Sequence, residues 1–272
     1  MNALSSARAN SAFWSELCGT SLAHRIGVTD SSRESLRKFD DWYFGLYPYL
    51  ARHVAFADVA GERVLEVGLG YGSVAQRLAA AGAVYHGLDI ASGPVDMVNQ
   101  RLYQAGLPGS AVRGDILSCP FPDASFDRVI AIGCYHHTGD LARAIDETHR
   151  VLRKGGRAMI MVYNAYSYRR WLRWPLSTAS YFMWDKIAIG RPRHATAAER
   201  KAYDADSAGN AAPETIFVSV DHLRRLATSW RSIEIFRENI GGELFLRFVP
   251  RDLLLRAAGP LAGLDLYCHM VK

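Results

Sequence analysis

Glu66, Asp89, Asp115, His136 and His137 are the residues in the first half of the chain whose types and surroundings could do chemistry. Glu66 lies in the otherwise apolar run 64–67, whose length suits a central parallel strand. A carboxylate there is costly without a partner, and a cationic amine on a ligand is one natural partner. Gly68, Gly70 and Gly72 follow at alternate positions. They let a ligand lie against the backbone, and a helix starting after them offers unpaired amides. A dinucleotide fingerprint wants its third glycine three residues after the second, where Ser73 stands. Asp89 ends the next apolar run, where an acid can accept both hydroxyls of a ribose. Asp115 follows the short strand 111–113, placed to meet an adenine amino group. An ordinary tight turn and a helix N-cap are the plain alternatives for the glycines and Asp89.

The elements that must position these residues alternate between strand and helix. Val74, Ala75 and Leu78 fall at helical spacing before Gly82, and Val95, Val98 and Leu102 do so before Gly106. Residues 126–132 read as a fourth strand after the turn-forming 122–125. Leu141, Ala144, Ile145, Thr148 and Leu152 describe one face of a helix capped by Asp140 and closed by Lys154-Gly155-Gly156. Residues 158–163 are the fifth strand. This order predicts an α/β fold with a doubly wound, mostly parallel sheet and ligands at the carboxyl ends of its strands. At the end of the fourth strand stand Cys134, Tyr135, His136 and His137. A histidine there can accept a proton from a hydroxyl or amine, or serve only as scaffolding at a helix start. Adjacent histidines do not share a helix face, and no His-Glu-x-x-His pattern occurs, so no metal site is expected.

Together, Glu66-x-Gly68-x-Gly70-x-Gly72, Gly87-x-Asp89, Gly114-Asp115 and Phe121-Pro122-Asp123-x-Ser125-Phe126-Asp127 resemble the class I S-adenosylmethionine-dependent methyltransferases of small-molecule type. Cys134-Tyr135-His136-His137 and Val151-Leu152-Arg153-Lys154-Gly155-Gly156 complete the resemblance, which is close over residues 60–165. It implies a seven-stranded Rossmann-like sheet with a reversed terminal strand pair, an N-terminal helical cap and a helical insertion after the fifth strand. The implied division is a cap at 1–55, a cofactor-binding core at 56–164, a lid at 165–213 and the rest of the core at 214–272. The implied cofactor is S-adenosylmethionine, with S-adenosylhomocysteine as product. Glu66 would lie near the methionine amine and Asp89 would hold the ribose, while Gly68, Gly70 and Gly72 make room. Asp115 and Ile116 would frame the adenine, with Ile90 and Gly133 alongside. His136 or His137 would act as base. Ile132-Gly133-Cys134-Tyr135 replaces the Asn or Asp-Pro-Pro-aromatic motif of enzymes that methylate base amino groups, which argues against nucleic acid.

The flanks speak to the acceptor. Residues 39–54 are dense in aromatics, with Tyr43 and Tyr47 expected to reach the pocket. Residues 166–193 interleave Tyr166, Tyr168, Trp171, Trp174, Tyr181, Phe182 and Trp184 with Arg169, Arg170, Arg173, Arg191 and Arg193. Arg170 and Arg173 suit an acceptor with an anionic group and an apolar body, and the segment is open to peripheral membrane contact. A helical cap with packed tryptophans is the bland alternative. The formal net charge is +5, but residues 150–272 carry 20 basic against 11 acidic side chains. The first residues lack the apolar stretch of a signal peptide, and Cys18, Cys119, Cys134 and Cys268 are scattered, so a reduced cytoplasmic protein is expected. A nicotinamide-dependent oxidoreductase, or a non-catalytic module on a membrane or RNA, are the rival classes.

Overall fold

The computed structural model describes residues 3–15, 23, 26–187, 193–241 and 248–272. Helices α1 (Ala3–Trp14), α2 (Arg33–Leu46) and α3 (Leu50–Val54) precede the sheet. Asp30-Ser31-Ser32 before Glu34 reads as a helix start in the sequence, and the Ser32 hydroxyl caps α2 by accepting a hydrogen bond from the Ser35 amide at 3.2 Å. Pro48 disfavours a helical residue before it, and the expected aromatic helix divides there into α2 and α3.

Strand β1 (Arg63–Val67) runs through the glycine turn into α4 (Ser73–Ala80). The alternation continues with β2 (Val84–Asp89), α5 (Ser92–Ala105), β3 (Ser110–Arg113), β4 (Phe126–Ile132), α6 (Leu141–Val151) and β5 (Leu152–Tyr163). The insertion supplies α7 (Tyr168–Arg173), α8 (Pro175–Lys186), β6 (Arg193–His194) and α9 (Ala197–Tyr203). After it come β7 (Ile216–Phe217), α10 (Val220–Leu226), β8 (Ser232–Glu238), α11 (Arg251–Ala257), α12 (Gly259–Ala262) and β9 (Asp265–Val271).

Seven strands form one sheet in the order β3-β2-β1-β4-β5-β9-β8. It is parallel as far as β5, and β9 pairs antiparallel with both β5 and β8. Strand order reverses between β1 and β4, which opens a crevice at their carboxyl ends. Val64 to Val67 are all buried, as a strand covered on both faces requires. Leu65, Val67 and Val129 pack on one face, while Val64, Ile130 and Met159 pack on the other. Gly155 and Gly156 do not close α6. They form an irregularity inside β5, which starts directly after the helix, and both join the backbone of Lys272 through 3.0 Å hydrogen bonds. The sequence reads as a helical segment over 246–261 between the last two strands, and α11 and α12 stand there; residues 242–247, including Leu246, lie outside the described residues. Among the described residues, no helix is long and apolar enough to cross a membrane.

Candidate active site

A cavity of about 960 Å³ opens over the carboxyl ends of β1, β2 and β4 and continues toward β5 and β9. Gly68, Gly70 and Gly72 all have positive φ, at +78°, +51° and +75°. At Gly68 a Cβ would lie 2.5 Å from the Cβ of Cys134, so glycine is required there for backbone shape and for space. Gly68 and Gly70 line the cavity. Gly72 does not: a Cβ on it would sit 3.0 Å from Arg101 and Val98, so its hydrogen lets α4 approach α5. Arg101, 1% exposed, holds both carboxylate oxygens of Asp40 at 2.9 Å and the Gln76 amide oxygen at 3.0 Å. The Arg101–Asp40 pair ties α2 to α5, with Gln76 of α4 joined to the same guanidinium, and Tyr43 and Tyr47 on and beside α2 line the cavity.

Glu66 is buried at the base of this end, and the Tyr85 hydroxyl donates to it at 2.6 Å. Burial pushes its carboxyl up to about 8, against the Tyr85 hydrogen bond and Arg101. The folded pKa exceeds the ordinary 4.5, so its contribution to stability is full below the unfolded value and is lost as pH rises toward 8. The slope over that window is about 1.4 kcal/mol per pH unit. Glu66→Gln should therefore flatten the melting temperature between about pH 5 and pH 8, and raise it at the upper end. Thermal unfolding across that range checks this, and an unchanged slope would show that the carboxyl is not the group responsible.

Asp89, 8% exposed, accepts the Leu69 amide at 2.8 Å and the Ala91 amide at 2.9 Å, one on each oxygen. Burial pushes it up and these amides oppose the push. The Ile90 amide adds to this opposition, and Asp89 lines the cavity. Asp115 accepts the Leu117 amide at 2.9 Å and lines the cavity together with Ile90, Ile116 and Gly133.

The two histidines part company. His136 is fully buried, its ring packs 4.1 Å from those of His137 and Tyr163, and neither nitrogen has a hydrogen-bond partner. Burial, then His137, push its pKa well down, so it is a neutral packing ring outside the cavity lining rather than a base. His137 lines the cavity, beside Trp14 of α1 at 5.0 Å. Its Nδ1 lies 2.6 Å from the Glu214 carbonyl oxygen, and its Nε2 lies 3.6 Å from Oδ2 of Asp204.

The insertion is only partly what its pattern suggests. Arg173 lines the cavity, but Arg170 does not: it is 2% exposed and bonded to Glu199 at 2.7 Å, with its guanidinium 4.1 Å from the Phe217 ring centroid. A buried acid has claimed the charge that the sequence left for an acceptor. Tyr181 packs inward, while Trp171 and Trp184 are exposed. Arg191 and the side chain of Arg193 lie outside what is described. Asp204, Asp265, Tyr163, Arg169 and Arg251 also line the far end, where burial pushes Asp265 up to about 7. Sequence reasoning named Arg169 only as part of the interleaved arginines and missed Asp204, Asp265, Tyr163 and Arg251, because no local motif marks them. Among the described residues no cluster of three metal-ligating side chains occurs, and Cys119, Cys134 and Cys268 are free; Cys18 is not described.

Residues 65–160 match the methyltransferase domain family. The 27-O-demethylrifamycin SV methyltransferase of Amycolatopsis mediterranei is 34% identical over 147 residues, covering 52% of this chain and 51% of its own length. The fatty-acid O-methyltransferase of Mycolicibacterium smegmatis is 42% identical over 133 residues, 48% of this chain and 46% of its own. The chain thus spans about half the length of these curated relatives. A solved SAM-dependent methyltransferase from Methanosarcina mazei shares the fold at a TM-score of 0.54 and 17% identity, over 84% of this chain and 98% of that one.

Proposed function

We propose that the chain is a class I S-adenosylmethionine-dependent methyltransferase, and that it transfers a methyl group from that cofactor to a small or medium-sized acceptor with an apolar body; the match of residues 65–160 to the methyltransferase domain supports this. One observation carries the reading: a single cavity joins the glycine turn, Glu66, Asp89 and Asp115 to the aromatic and charged far end. The near end suits the cofactor on physical grounds. A glycine cradle that a Cβ would fill, the buried acid Glu66 and the cavity-lining acid Asp89 match an adenosine bearing an amino acid. Bound there, S-adenosylmethionine would supply an electrophilic methyl group on a sulfonium.

The protein's own part is alignment and exclusion of water. Glu66 would face the amine, whose positive charge favours the ionised carboxylate, Asp89 holds the ribose hydroxyls, Asp115 and Ile116 bracket the adenine, and Gly133 leaves room beside Cys134. Tyr43 and Tyr47 cover the cavity from α2. At the far end Arg169, Arg173 and Arg251 give a positive field that favours an acceptor carrying an anionic group remote from the reacting atom. The relatives act on a rifamycin and a fatty acid, and an amphipathic acceptor is the class their names have in common with this lining. The methyltransferase core leaves the nicotinamide reading without support.

Calorimetry with S-adenosylhomocysteine tests the proposal. The wild type should bind, and Asp89→Asn should weaken binding by about tenfold to a hundredfold through impaired ribose hydrogen bonds. Unchanged affinity in the folded variant would place the ribose elsewhere.

A further inference from the structure

His137 sits between two partners that fix its chemistry. A backbone carbonyl can only accept, so the 2.6 Å contact with Glu214 places the ring proton on Nδ1. In the neutral ring Nε2 is then a bare acceptor. Across from it at 3.6 Å lies Oδ2 of Asp204, also an acceptor. Neither atom has a hydrogen-bond partner, both are shielded from solvent, and both residues line the cavity. Two buried acceptors that face one another without a donor are an unfavourable pair, and a proton delivered from the cavity would relieve them both. The remaining oxygen of Asp204 is held by the Tyr163 hydroxyl at 3.0 Å, which fixes the carboxylate against β5. Asp204 terminates α9, so the insertion supplies half of the arrangement and the core the other half.

We propose that His137 and Asp204 form one proton-accepting pair, and that the acceptor is accordingly a hydroxyl compound that must lose a proton as it is methylated. This deepens the methyltransferase reading and rests on it. The acceptor oxygen bonds to the methyl carbon as the carbon–sulfur bond breaks, and that bond's electron pair stays on sulfur, leaving a neutral thioether. The hydroxyl proton passes to Nε2 of His137, and the carboxylate of Asp204 faces the cation that forms. The proton goes to water when the product leaves. A carboxylic acid acceptor, already ionised, would need no such pair. Asp204 and Asp265 at the same end would also repel its carboxylate from the reacting position. Asp204 is a positioning residue here, because it acts through the imidazole.

The groups facing the His137 ring are Asp204, the His136 and Tyr163 rings, the Trp14 ring and the Thr215 hydroxyl at 3.2 Å. Of these, Asp204 is the acid, so removing its charge isolates its effect. Asp204→Asn keeps the shape and the bond from Tyr163, and offers an amide donor to Nε2. Histidine ¹⁵N NMR of the full chain should show His137 as the Nδ1–H tautomer in the wild type, with its titration displaced to lower pH in Asp204→Asn. Methyl transfer is followed in parallel with two probes, 2-naphthol and dodecanoate. The expected result is methylation of 2-naphthol, with kcat lowered about a hundredfold in Asp204→Asn and His137→Gln while S-adenosylhomocysteine affinity holds. An Nε2–H tautomer, or an identical His137 titration in Asp204→Asn, overturns the pair. Methylation of dodecanoate alone, or 2-naphthol turnover unchanged in either variant, overturns the hydroxyl assignment. If neither probe is turned over, that assignment is also rejected for these two classes, and the NMR result decides the pair. Failure of S-adenosylhomocysteine to bind the wild type strikes the methyltransferase reading instead.

Discussion

Gly68→Ala should abolish measurable S-adenosylhomocysteine binding and lower the stability of the fold by about 3 kcal/mol. Two costs add. A left-handed backbone costs an L-residue about 1–2 kcal/mol, and Gly68 sits at φ +78°. The new Cβ would also come within 2.7 Å of the Cys134 Sγ and closer still to its Cβ. Overpacking of this kind costs about 1–3 kcal/mol, because Cys134 is tied back by its 3.0 Å contact with the Val67 carbonyl oxygen. The displaced turn would carry the Leu69 amide away from Asp89. Chemical denaturation and calorimetry read the two effects separately. Gly70→Ala is the internal control, since nothing lies within 4 Å of a Cβ there, although φ is again positive. Equal stability losses in the two variants would show that backbone strain alone matters and that Cys134 yields.

Arg170→Met should destabilise the protein by up to about 3–5 kcal/mol, the usual range for removing one member of a buried ion pair. The acid that loses this partner is Glu199, 1% exposed, which keeps the Thr196 amide at 2.7 Å. Burial pushes the Glu199 carboxyl up, but the Thr196 amide and the Arg170 guanidinium outweigh it and hold the carboxyl below its ordinary value. A depressed folded pKa means that this group's stabilisation is present above the unfolded value and is lost as pH falls through the folded one. The wild type should therefore lose this contribution on acidification, and Arg170→Met should already lack the guanidinium's share of it at neutral pH, keeping that of the Thr196 amide. Replacing both partners, as Arg170→Met with Glu199→Leu, should recover much of the loss. Urea denaturation of Arg170→Met, Glu199→Leu and the double variant checks the cycle. A single variant as stable as the wild type would mean that water or another cation reaches Glu199.

That the second of these predictions concerns stability marks the limit of what the sequence discloses. The glycine turn is legible because its information is local: an apolar run, three glycines and a helix start within ten residues set the backbone by themselves. The ordering of β1 to β5 follows from the same kind of signal, repeated. Arg170 misleads because an arginine among aromatics looks the same whether its counter-ion is a ligand or a glutamate 29 residues on. Asp204 falls in a polar, glycine-containing stretch that reads as loop, and only the folding of α9 back over β5 brings it to Tyr163 and His137. α1 is hidden for the same reason, since the Asn10 amide reaches the His137 carbonyl oxygen across 127 positions. Gly155-Gly156 carries the signature of a helix stop, and pairing with the backbone of Lys272 turns it into part of a strand instead.

The division of the cavity between two portions of sequence has an evolutionary side. The residues proposed to hold the cofactor fall within 65–160, the stretch that matches the methyltransferase domain, whereas Trp14, Tyr43, Asp204, Asp265 and Tyr267 lie outside it. Drift can rewrite the second set while selection holds the first, and one ancestral scaffold can radiate toward many acceptors without relearning how to bind its methyl donor. The same seam serves directed evolution. Diversity introduced at Asp204, Tyr203, Arg169 and their neighbours would sample new acceptors, with the donor half left as an unvaried module.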